Sequence, residues 1–122
     1  MHSDIIDTQK GIAYLAGKKD SYVRIAGNFA KKADGKIDEM RQFFERFCQS
    51  RDEEDLKRLI TEFHGLKSSS ASMGATLLPE FAKELEMAGK EGNTGLIEEK
   101  FEEFVEQYKS TCEALAEAIA EL

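Results

Sequence analysis

Two side chains with complementary chemistry stand three residues apart in this sequence: His64, an imidazole that can act as a nucleophile near neutral pH, and Lys67, an ammonium. The stretch around them reads Phe63-His64-Gly65-Leu66-Lys67-Ser68-Ser69-Ser70-Ala71-Ser72-Met73-Gly74-Ala75. Wound as a helix at about 100° per residue, it puts Leu56, Leu59, Phe63, Leu66 and Met73 on one side, centred roughly 110° from His64. Ile60 falls between that stripe and the histidine. His64 therefore sits on the shoulder of the core face, with its ring in reach of solvent. Gly65, Ser68, Ala71, Ser72 and Ala75 fall on the outward side. Surface helices ordinarily carry Lys, Glu and Arg there, which favour helix more than Gly or Ser. This segment gives up helix propensity and leaves a flat area of small side chains around one imidazole. An anion attached to the ring would find the Lys67 cation almost one turn away.

A third group joins them if the chain turns back at Gly74. That glycine lies ~15 Å beyond His64 along a helix axis, and Glu86 lies a similar distance back down the returning helix. On its own helix Glu86 sits about 100° from the Leu78–Phe81–Leu85 stripe, again on a shoulder. Pro79, Lys83 and Lys90 share its outward side. With the two shoulders facing alike, Glu86 accepts a hydrogen bond from the ring, fixes its tautomer and leaves the other nitrogen outward as a nucleophile. Imidazole, carboxylate and ammonium on a face of small residues suit a phosphoryl group that arrives and leaves. Each residue taken alone also has a plain reading, because surface histidines and helix glutamates are commonly just solvated.

The elements that must position these groups follow from composition and punctuation. The chain has 122 residues, 41% hydrophobic and 34% charged, with one proline. It is long enough for one domain with a real core, residues 1–122, and leans towards helix. A net charge of −7 speaks against nucleic acid and anionic membranes as partners. No apolar run approaches the ~20 residues of a membrane span, and no signal-peptide pattern opens the chain, so a cytoplasmic location is expected. Cys48 and Cys112 fall on or beside apolar faces and read as buried free thiols.

Residues Met1 to Ser3 are expected to be loose and His2 idle. From Asp4, the residues Ile5, Ile6, Ile12 and Leu15 suggest a short helix ending near Gly17. Asp20 is a candidate cap for a second, carrying Tyr22, Ile25, Ala26 and Phe29, with Gly35 as its stop. A third helix follows, with Ile37, Met40, Phe43, Phe44 and Phe47 on one face. Either Ser50 or Asp52 caps the helix of His64, which breaks at Gly74. Thr76 is a candidate cap for the next, with Pro79 in its first turn and Gly92-Asn93 at its end. Ile97, Phe101, Phe104, Tyr108, Leu115 and Ile119 then mark a last helix of about seven turns. Short loops between long amphipathic helices make neighbours antiparallel. The expected fold is all-α: an up-and-down antiparallel four-helix bundle with additional short N-terminal helices.

The run from His64 to Ala75 resembles the signature of histidine phosphotransfer (HPt) domains: His-x-Leu-Lys-Gly, small residues, then Leu or Met followed by Gly. Gly11-Ile12-Ala13-Tyr14-Leu15 and the Tyr22…Phe29 spacing resemble the family's N-terminal segment, and Leu85-Glu86 its downstream Leu-Glu. The resemblance implies a four-helix bundle whose histidine takes a phosphoryl group on Nε2 and exchanges it with an aspartate of a receiver domain. By position His64 would be phosphorylated, Lys67 would be the cation on the phosphate side and Glu86 the ring's partner. Gly74 would permit close helix packing at the turn. Partners would be receiver domains of response regulators or hybrid histidine kinases, docking as to a monomer on Gly65, Ser68, Ala71, Ser72, Ala75, Lys83 and Lys90. Ser68 departs from the pattern, standing where the family usually has glycine beside the histidine.

Two other classes compete. An enzyme would need a ligand cluster, a phosphate loop or a nucleophile triad, and none is present at the required spacing. No metal or cofactor is implied, and the bundle leaves no room for an ATP-binding domain. The alternative to a phosphocarrier is a helical bundle that only docks signalling partners, with His64 incidental.

Overall fold

Five helices account for most of the chain in a computed structural model that describes residues 4–122: α1 (Thr8–Tyr14), α2 (Lys19–Ser50), α3 (Glu53–Ser72), α4 (Leu78–Lys90) and α5 (Thr94–Ala120). The expectations for Met1 to Ser3, and for His2 among them, lie outside the described residues. No strand occurs among the described residues, only an isolated bridge between Ile6 and Ala75.

Several boundaries differ from the expectations. The first helix starts at Thr8 rather than Asp4, because the Asp7 carboxylate caps it by accepting from the Lys10 amide. Ile5 and Ile6 are drawn instead into extended pairing with the α3–α4 turn. Asp20 lies inside the first turn of α2 and not at its cap, which is Lys18. Gly35 does not stop that helix. It keeps an ordinary helical φ, and the buried stripe Ala26, Ala33, Ile37, Met40 and Phe47 runs straight past it. The roughly 1 kcal/mol that an interior glycine costs is offset by that continuous burial. The expected second and third helices are therefore one, and a single short helix precedes the four long ones. Of the two rival caps for α3, Asp52 is the one used, accepting from the Glu54 amide. Thr76 does not cap α4; its hydroxyl donates to the carbonyls of Asp4 and Ile5. Pro79 does sit in the first turn, where its missing donor costs little.

The long helices pack in a ring, α2 on α3, α3 on α4, α4 on α5 and α5 back on α2. Cross-seam pairs give the directions. Lys36 meets Glu62 and Arg46 meets Asp55 across α2–α3; Arg51 meets Glu98 and Phe29 meets Tyr108 across α2–α5. Numbers rise in one helix as they fall in its neighbour. Aromatic rings fill the centre: Phe63 and Phe81 each meet Phe104 edge-on, at centroid distances of 5.1 and 5.5 Å. Cys48 and Cys112 are free and half-buried. No helix among the described residues is long and apolar enough to cross a membrane.

The N-terminal segment ties down the turn after α3. The Asp7 amide donates to the Gly74 carbonyl at 2.7 Å, the Thr76 amide to Ile5 at 2.9 Å, and the Tyr22 hydroxyl to Met73 at 2.7 Å. Gly74 has φ +84°, and a Cβ there would lie 2.0 Å from the Asp7 carbonyl oxygen. Only glycine fits both demands. Its role is thus to admit the N-terminal backbone, whereas the tight approach of α3 to α4 occurs at Gly89, against Ile60.

Candidate functional site

His64 lies on α3 between the buried residues Phe63 and Leu66, which anchor the helix while leaving the histidine on its shoulder. Its side chain is 61% exposed. Glu86, on α4 beside the fully buried Leu85, is only 1% exposed. The hairpin brings the two together: His64 Nδ1 and Glu86 Oε2 are 2.7 Å apart. Two ammoniums complete the cluster, Lys67 at 2.8 Å from Oε1 and Lys90 at 2.9 Å from Oε2. No aligned hydrogen bond reaches Oε1 among the described residues, so Lys67 compensates that oxygen by charge and proximity.

This setting keeps Glu86 ionised. The Lys67 ammonium is the largest influence, burial opposes it, and Lys90 and His64 add to it, together drawing the carboxyl from 4.5 to about 2. An ionised carboxylate only accepts hydrogen bonds, so Nδ1 carries the ring proton and donates it to Oε2. Nε2 is then left with its lone pair. A shallow recess of about 260 Å³ lies alongside, lined by Ile60, Thr61, His64, Glu86 and Lys90. Among the described residues no group of three or more His, Cys, Asp or Glu could hold a metal ion.

The expected outward face is only partly open. Gly65 and Ser68 are exposed, Ala71 and Ser72 are half-buried, and Ser72 donates its hydroxyl to the Ser68 carbonyl at 3.0 Å. Ala75 is buried at 8% exposure under Ile6, so it cannot belong to a docking surface. The residues that cover it come from the other end of the chain, which helix periodicity alone cannot reveal. Lys83 is exposed but lines a recess between α4 and α5, with Glu80, Glu84 and Lys100, away from His64. Lys90 was expected on the docking face and is found on the Glu86 carboxylate. Its spacing of four residues from Glu86 is the signal that could have placed it there.

The chain is thus a helical bundle that presents an exposed imidazole, oriented by a buried carboxylate. A family model described as the Hpt domain matches residues 34–122, and the chain belongs to that family. Comparison with curated proteins and with solved structures gave no match. The Hpt domain is a phosphocarrier of two-component signalling, not a catalytic domain, and the family interacts with response-regulator receivers.

Proposed function

We propose that His64 is the phosphoacceptor of this chain and exchanges its phosphoryl group with an aspartate of a receiver domain. The Nε2 lone pair attacks phosphorus in line with the aspartyl oxygen. The N–P bond forms as the O–P bond breaks, and the electron pair of that bond leaves with the aspartate carboxylate. The ring keeps its proton on Nδ1 and acquires positive charge, which the Glu86 carboxylate stabilises through the 2.7 Å contact. Lys67 meets the negative charge on the phosphoryl oxygens. Return of the group runs through the same steps in reverse. These residues act as one unit, as a monomer in the cytoplasm, carrying the phosphoryl group between partners. Receivers of response regulators or hybrid histidine kinases seat on Gly65, Ser68, Ala71 and Ser72.

The observation that carries this reading is the Nδ1–Glu86 contact beneath an exposed ring, which sets the tautomer that phosphorylation of Nε2 requires. Incubation with a phosphorylated receiver should transfer an acid-labile, base-stable phosphate to the protein. His64→Gln should abolish that transfer while melting as cooperatively as the unchanged protein. Transfer that persists in His64→Gln rejects His64 as acceptor, and loss of cooperative melting would make it a structural residue.

A further inference from the structure

Glu86 carries more cationic partners than a ring-orienting carboxylate needs. One carboxylate faces two ammoniums and an imidazole proton, in a place where it is almost wholly buried. Lys67 and Lys90 do not occupy equivalent places. Lys67 is on α3, one turn from His64, and sits 2.8 Å from Oε1, which receives no aligned hydrogen bond among the described residues. Lys90 is on α4, in its last turn, four residues beyond Glu86, and shares Oε2 with the ring. A cation at the C-terminal end of a helix is also favoured by the helix dipole.

A phosphoryl group on Nε2 adds about two negative charges beside Lys67. Lys67 is already engaged by Oε1 at 2.8 Å, so the carboxylate and the phosphoryl oxygens compete for its ammonium. If it leaves, a buried carboxylate loses one counter-charge just as the ring proton most needs that carboxylate ionised. The charged ring still faces Oε2, but a buried carboxylate that loses a counter-charge from its other oxygen is destabilised. A second cation that stays behind removes the difficulty.

We propose that Lys90 is a positioning residue for phosphoryl transfer: it holds the counter-charge on Glu86, so that Lys67 is free to move from the carboxylate to the phosphoryl oxygens. This rests on the reading of His64 given above. It takes Lys90 out of the docking surface and makes it act through Glu86 and Lys67, without touching the phosphoryl group. In its absence Glu86 detains Lys67, and the incoming charge is met late.

The test uses the full chain and phosphoramidate, a small donor that needs no docking. Its P–N bond breaks with the electron pair leaving on ammonia, while the Nε2–P bond forms. Lys90→Met keeps most of the stem and removes the charge, and should slow labelling of His64 about tenfold. In a Glu86→Gln background no carboxylate detains Lys67, so adding Lys90→Met should change the rate by less than about twofold. Lys90→Arg should restore the wild-type rate. On phosphorylation the ¹⁵Nζ resonance of Lys67 should move and that of Lys90 stay. An equal loss in both backgrounds would overturn the proposal, because Lys90 would then act on the phosphoryl group directly or on the fold. So would a Lys90→Met protein labelled as fast as wild type. Failure of the wild-type chain to be labelled by phosphoramidate or by a phosphorylated receiver would instead reject His64 as acceptor.

Discussion

The α2–α5 and α3–α4 seams both join helices by ion pairs, and they do so in opposite settings. Across α2–α5, both terminal guanidinium nitrogens of Arg41 bond to the Glu102 carboxylate, whose side chain is 68% exposed. Across α3–α4, Glu86 meets His64 and Lys67 at 1% exposure, with Lys90 of its own helix beside them. Contact with a cation lowers both carboxyls, Glu102 through Arg41 and Glu86 first through Lys67, and burial opposes the shift in each. The energetic consequences still differ. An exposed pair contributes roughly 0–1 kcal/mol after screening and side-chain entropy. Breaking a buried pair costs about 3–5 kcal/mol, because a charge stays behind without solvent. The α2–α5 seam could lose its ion pair and still be held by the Phe44–Phe101 stack, at 4.1 Å between centroids. The α3–α4 seam places a charge that the fold alone would not need.

That contrast can be broken most severely at Glu86. Glu86→Gln keeps the shape but not the charge, and should slow transfer to His64 about tenfold or more. It should also remove a component of acid sensitivity. A carboxyl held at about 2 in the folded chain, against 4.5 ordinarily, adds stability above the higher value. That stability disappears as pH falls through the interval towards the lower one. Denaturant titrations between about pH 5 and about pH 2 should show a decline of about 1 to 2 kcal/mol, discounted for the solvent around its partners, that Glu86→Gln lacks. Matching declines in the two proteins would mean that Glu86 is no better paired folded than unfolded.

A smaller effect separates the two seams as surfaces. Ser72→Arg, at the end of α3, places bulk on the proposed docking face and a cation at a helix C-terminus, so stability should hold within about 0.5 kcal/mol. Transfer from a receiver should fall severalfold, with phosphoramidate labelling unchanged. Glu99→Arg, exposed on α5, should alter neither. Equal transfer by the Ser72 variant and wild type would move docking elsewhere. The smallest effect belongs to Glu102→Gln, which should cost under about 0.5 kcal/mol in melting experiments and leave transfer untouched. A loss above about 2 kcal/mol there would erase the distinction between the seams.

Much of this arrangement was legible in local pattern. The shoulder position of His64 follows from the stripe of Leu59, Phe63 and Leu66, all buried as periodicity required. The pairing with Glu86 follows from counting residues to the Gly74 turn and back. Helix ends are less legible. Gly35 carries the same residue type as Gly17 and Gly92, yet only those two adopt positive φ, because a glycine stops a helix only where no burial continues beyond it. Thr76 has the chemistry of a cap, but the Asp4 and Ile5 carbonyls compete for its hydroxyl from the far end of the chain.

By itself the sequence determined the helical class, the apolar faces and the set of groups that could do chemistry, because these depend on spacing along one or two turns. Tertiary structure decided which of those groups share a charge. Lys83 and Lys90 both flank Glu86 on α4; the four-residue spacing lets Lys90 reach the carboxylate at 2.9 Å, while the packing of α4 on α5 sets Lys83 in the recess between them. It also decided that Ala75 would be covered, by backbone that joins it from the opposite end of the chain. Coulombic interaction and burial both depend on distance through space and on solvent exclusion, and neither quantity exists until the helices have packed.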